Sequence, residues 1–224
     1  MIFEVILFSI IVQVSYRLIT LQGGQFFITL ASEFGTSPIT HDDRLEKMEE
    51  VAKRYYEEKK FLAAEKAYLK VLKLDHRNLT AYSRLGFIYT QMGNTSDAIE
   101  CFKIVIEQKP SAAAYHNLAM AYFKEREFKK SAENLAKAIE IEPTQARLIN
   151  LARIYRITGD FDLQVKVLKQ ALHAEPDNIS IMQLLAEAHL HNKDDAEAKV
   201  MFRKILKINP DNSRALQALG RDDS

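Results

Sequence analysis

A chain of 224 residues is long enough to bury a substantial core, and 47% hydrophobic with 27% charged residues is a globular composition, not a disordered one. Lys and Arg total 31 against 30 Asp and Glu, a balance that excludes a general nucleic-acid binder, which needs surplus positive charge to displace counterions. A single cysteine, Cys101, excludes a disulfide framework within the chain, and only 7 Gly and 5 Pro predict long uninterrupted helices.

In chain order, residues 1–21 differ from the rest of the chain. Only Glu4, Ser9, Gln13, Ser15, Arg17 and Thr20 interrupt an otherwise apolar stretch. As a helix it would span roughly 31 Å, about the thickness of a bilayer's hydrocarbon core. The expectation is an apolar N-terminal helix acting as a single-pass membrane anchor, with Arg17 snorkelling towards headgroups. Two other readings compete: a cleaved leader, although no Lys or Arg precedes the apolar run, and packing sequence or an over-extended gene start, with translation from Met48. If the segment spans, Arg17, Arg44 and Lys47 lie on its C-terminal side and Glu4 on the other. The repeats would then face the cytoplasm. Without the anchor, the expectation is a soluble cytoplasmic protein. Residues 22–43 read as a linker, broken at Gly23-Gly24 and at Gly35-Thr36-Ser37-Pro38.

From Arg44 onward apolar residues recur at helical spacing and nothing reads as a strand. Pro110, Pro143, Pro176 and Pro210 are separated by 33, 33 and 34 residues, which marks an internal repeat. Five repeats at about 45–78, 79–111, 112–144, 145–178 and 179–212 bring further columns into register. The fourth position reads Met48, Tyr82, Tyr115, Leu148, Met182, and the seventh Val51, Leu85, Leu118, Leu151, Leu185. The eighth reads Ala52, Gly86, Ala119, Ala152, Ala186, and the eleventh Tyr55, Tyr89, Tyr122, Tyr155, His189. The second half of each repeat adds a small column, Ala64, Ala98, Ala132, Gln164, Ala198, and a large one, Tyr68, Phe102, Ala136, Leu168, Phe202. Spacings of 4, 7, 8 and 11 share one helix face. Small residues let two helices approach, and large ones fill the gaps between neighbouring repeats. Gln164 breaks the small column, which predicts a splayed helix pair in repeat four. Residues 213–224 restart the pattern with Leu216, Leu219 and Gly220 and read as a partial sixth repeat capping the stack.

This pattern resembles the tetratricopeptide repeat (TPR) family over residues 44–210. The resemblance implies an all-α, right-handed α-solenoid of helix-turn-helix repeats. It also implies a protein-protein interaction scaffold or adaptor, in which the first helix of each repeat lines a concave groove. An alternative is a soluble regulatory subunit acting on an enzyme in trans. In the family, positions 2, 5, 6, 9, 12 and 13 face that groove. The candidate peptide-binding residues are therefore Arg84, Phe87, His116, Asn117, Met120, Phe123, Lys124, Asn150, Arg153 and Arg156. Aromatics, Met and Arg are the types that dominate binding hot spots, and Asn117 and Asn150 recur at one position in successive repeats, where amides can hold a peptide backbone. The implied partner is a protein segment, acidic with apolar anchors. The competing reading is that these are ordinary solvated helix positions. The clamp with which some family members grip chaperone tails needs Lys and Asn at positions 5 and 9. Here those positions hold Glu49 and Lys53, Ser83 and Phe87, or His116 and Met120, so chaperone-tail binding is not expected.

No catalytic, metal or cofactor constellation is expected. His189 and His191 point to different faces of one helix, and no phosphate loop, zinc-protease motif or nucleophile elbow occurs. Cys101 reads as a buried small residue. Asn78, Asn94 and Asn178 begin sequons at repeat turns and read as helix caps. Neither a nucleic acid nor a small-molecule substrate is implied.

Overall fold

The structure, a computed structural model, describes residues 40–220. The expected N-terminal apolar helix lies outside the described residues. Among those residues no helix is long and apolar enough to cross a membrane. Eleven helices succeed one another among the described residues: α1 His41–Glu57, α2 Phe61–Leu74, α3 Leu79–Met92, α4 Thr95–Gln108, α5 Ala112–Lys124, α6 Phe128–Ile141, α7 Gln145–Thr158, α8 Phe161–Ala174, α9 Ile179–His191, α10 Asp195–Ile208 and α11 Ser213–Gly220. Each odd-numbered helix from α1 to α9 packs against the next even-numbered helix, and each even-numbered helix packs against the next odd one. The contact network is therefore a chain of neighbours, the pattern of a repeat stack.

Local chemistry sets the boundaries. The first helix of every repeat begins at a Ser, Thr or Asn whose side chain accepts from the backbone three residues on: Thr40, Asn78, Ser111, Thr144, Asn178, and Asn212 before α11. Thr40 forms a full capping box with Asp43, so α1 starts at His41, inside the stretch that reads as linker. Within each repeat the turn passes through one residue in the left-handed region: Lys59, Gly93, Arg126, Gly159 and Lys193. Pro110, Pro143, Pro176 and Pro210 each directly follow the C-cap of a second helix, at Lys109, Glu142, Glu175 and Asn209. Of the sequon asparagines, Asn78 and Asn178 cap through their side chains and Asn94 does not.

Packing corrects the small and large columns in repeat three. The residues buried there are Ser131 and Leu135, one position ahead of Ala132 and Ala136, which are half-buried. Counting from Ala112 at the spacing of the other repeats lands on Ser131. Its hydroxyl donates to the Ala119 carbonyl at 2.7 Å, so a polar residue closes the hairpin without an unpaired group. In repeat four, Gln164 is not pushed out. It is 3% exposed, and its Oε1 has no hydrogen-bond partner. At the far end Ala215 is fully buried, and Ala218 and Leu219 pack against the core of repeat five, so α11 covers the last apolar face.

Candidate functional site

The first helices α1, α3, α5, α7 and α9 carry the expected groove positions, and contacts between them tie neighbouring repeats together. The Tyr56 ring on α1 meets Phe87 on α3 edge-on at 5.7 Å between centroids, and the Arg84 guanidinium lies 4.6 Å over the same Tyr56 ring. Lys124, at the end of α5, donates to the Thr90 carbonyl near the end of α3 at 2.6 Å. There it neutralises the negative end of the neighbouring helix dipole.

Several of the ten predicted residues line depressions between successive repeats. Arg84 shares a depression with Glu46, Glu49, Glu50, Lys53 and Tyr68 between repeats one and two. Phe123 and Lys124 share another with Arg126, Phe128 and Ile157 between repeats three and four. Arg153 and Arg156 line a third, between repeats four and five, with Ile149, Ala152, Gln164, Leu168 and Leu184. Met120 and Phe123 also pack against the core around Ala119 and Leu151, with Phe123 edge-on to Phe128 at 5.5 Å. Asn117 and Asn150 are half-buried. The His116 Nδ1 is buried and unpaired. Burial, then the nearby Arg147 charge, push its pKa below the ordinary 6.5, so its imidazole is neutral at physiological pH and adds no charge to the groove.

The first-helix face is electrically divided. Its N-terminal end carries Glu46, Glu49 and Glu50, with Glu49 accepting from the Asn78 amide at 2.6 Å. In repeat four, Arg153 and Arg156 are exposed, and neither makes an ion pair or ring contact among the described residues. Two nearby arginines are by contrast committed: Arg147 binds Glu142 at 2.9 Å and Arg214 binds Glu187 at 2.5 Å. Apolar side chains are exposed at groove positions, with Phe87 at 41%, Ile157 at 45% and Leu190 at 45%. Leu69 and Leu163 are about as open on second helices and Leu62 is more so, and exposure alone does not mark the site. The residue that sequence reasoning misses is Gln164. In the sequence it is only a break in a packing column; in the fold it is the polar wall of the depression that holds Arg153 and Arg156.

Other chemistry-bearing residues are accounted for by packing. His189 is buried with Nδ1 3.1 Å from Asp194 Oδ2, and His191 stacks on Phe161 at 5.2 Å. Among the described residues no three His, Cys, Asp or Glu gather as a metal site. Cys101 is buried, and burial, with Asp97 and Glu100, pushes its thiol up to about 11, far from a nucleophile's range.

The tetratricopeptide repeat family model matches residues 55–121 and 159–221, and a second tetratricopeptide repeat model matches residues 112–145. The chain belongs to the tetratricopeptide repeat family. Members of this family typically serve as non-catalytic scaffolds, and the TPR fold implies protein or peptide binding. The chain is similar to the crystal structure of MamA protein, at 25% identity over 76% of this chain and 94% of that chain, with a TM-score of 0.67. It shares the fold of MamA from Desulfovibrio magneticus RS-1 at 14% identity, over 76% of this chain and 98% of that one, with a TM-score of 0.65. It also shares the fold of YrrB, described as a TPR protein with an unusual peptide-binding site, at 19% identity, 75% and 88% coverage and a TM-score of 0.63. No curated protein matches the chain.

Proposed function

We propose that this TPR stack is an adaptor that holds an acidic partner segment with apolar anchors along the face of its first helices. The ten groove residues, Arg84 to Arg156, form the contact surface, and repeat four holds the partner's acidic groups. The observation that carries this reading is the pair Arg153 and Arg156, exposed and without acidic partners of their own among the described residues. A guanidinium keeps its charge and presents a donor fork matched to carboxylates, so two of them one helical turn apart form a ready acceptor for acidic side chains. Phe87, Ile157 and Leu190 supply exposed apolar contacts on the same set of helices. The YrrB relative, with its described peptide-binding site, adds support from a protein of the same fold.

Selection of a displayed random peptide library on the full chain tests this. Peptides rich in Asp and Glu with aromatic or aliphatic anchors are expected to enrich on the native protein and to be lost on an Arg153→Glu/Arg156→Glu variant. Enrichment of the same peptides on both proteins would sink the reading. We also propose that residues 1–21 tether the stack to a membrane with the repeats in the cytoplasm, a reading supported by the apolar run and the positive residues after it. Sodium carbonate extraction of membranes should leave the protein in the pellet, and complete release into the supernatant would reject the tether.

A further inference from the structure

The depression between repeats four and five is more than a gap between helices. Its volume is about 170 Å³, and its walls are Ile149, Ala152, Leu168 and Leu184 with the Gln164 amide among them and Arg153 and Arg156 beside them. In three other repeats the equivalent of Gln164 is a fully buried alanine: Ala64, Ala98 and Ala198. The fourth, Ser131, satisfies its hydroxyl on the Ala119 carbonyl. Gln164 has no such outlet: it is 3% exposed, and its Oε1 meets no hydrogen-bond partner. A buried amide oxygen left unpaired is costly, and native structures seldom carry one without a reason. An apolar cavity of about 150 Å³ is large enough to take up a benzene molecule.

We infer that this pocket takes the phenol ring of a tyrosine in an acidic partner segment, with the ring held by Ile149, Leu168 and Leu184, the hydroxyl on the Gln164 amide, and flanking carboxylates on Arg153 and Arg156. The proposal rests on the adaptor reading and narrows it to one anchor residue. Four features select the side chain. The volume fits one six-membered ring. The apolar walls favour a flat hydrocarbon face. The unpaired amide calls for a polar tip, and a phenol both donates and accepts, so it pairs with either end of the amide after a half-turn. The two unpaired guanidinium groups call for acids next to that ring in the partner's sequence.

Fluorescence polarisation on the full chain decides the matter, using three labelled synthetic peptides with tyrosine, phenylalanine or alanine centred between pairs of glutamates. The tyrosine peptide should bind best, the phenylalanine peptide about tenfold more weakly through loss of one hydrogen bond and exposure of an unpaired amide, and the alanine peptide weaker still. Gln164→Ala installs the alanine found in three of the other four hairpins and should bind the tyrosine and phenylalanine peptides equally. Arg153→Glu/Arg156→Glu should lose all three. Equal affinity for the three peptides, abolished by the arginine substitutions, would overturn the tyrosine pocket and leave the acidic groove standing. Binding of none of the peptides to the native chain would overturn both.

Discussion

Gly86 shows how tightly a single residue is constrained by the repeat. It occupies the small column of the first helix, where the other repeats carry alanine. A Cβ built there would lie 2.6 Å from Phe102 Cε1 and 2.8 Å from its Cζ. Phe102 is 2% exposed, so its ring has no room to retreat. Two effects oppose each other in Gly86→Ala. Helix propensity favours alanine by about 1 kcal/mol, while overpacking a filled core costs about 1–3 kcal/mol. The clash is with a buried ring and not with a flexible tip, so overpacking wins. Urea unfolding should show Gly86→Ala less stable by about 1 kcal/mol, and a gain in stability would show that the ring shifts freely. The letters reveal the small column but treat glycine and alanine as equivalent. The difference lies in the Phe102 rotamer, which no column of letters records.

At the scale of the helix pair, most of the architecture is legible in the sequence because each boundary has a local chemical cause. Prolines after the second helices and Asn, Ser or Thr before the first ones define the register without reference to tertiary contacts. Where local chemistry is silent, reading by column slips. Ala132 fits the small column of repeat three by letter, because alanine is the usual small residue, but it and Ala136 lie one position beyond the spacing of the other repeats. The fold instead buries Ser131, whose hydroxyl finds the Ala119 carbonyl, and Leu135. Gln164 should splay its hairpin if size alone decides, since a long polar side chain is a poor fit where two helices touch. The structure buries it, on the wall of the depression that Ala152 and Leu168 also line. The left-handed turn residues Lys59, Arg126 and Lys193 are also invisible in the letters, because their position in the turn and not their identity puts them there.

For the whole molecule, the sequence yields the stack and an interaction surface more readily than the layout of that surface. The ten groove residues are picked out by repeat position alone, and position does not reveal which side chains already have partners. Arg84 rests on Tyr56 and Lys124 on the Thr90 carbonyl, whereas Arg153 and Arg156 have none among the described residues. The division of charge along the first helices can be read from the letters, but the depressions between repeats emerge only once the repeats are stacked. The glutamates of α1 would repel the acidic end of a bound segment, and the arginines of α7 would hold it, so one end-to-end orientation is favoured. Hydrogen-deuterium exchange of the full chain with and without a saturating acidic peptide bearing a central tyrosine tests this account most directly. Slowed exchange is predicted in α7 and α9, with α8 protected where Gln164 and Leu168 wall the pocket and α1 unchanged. Protection confined to α2, α4 and α6, or to α1, would contradict it.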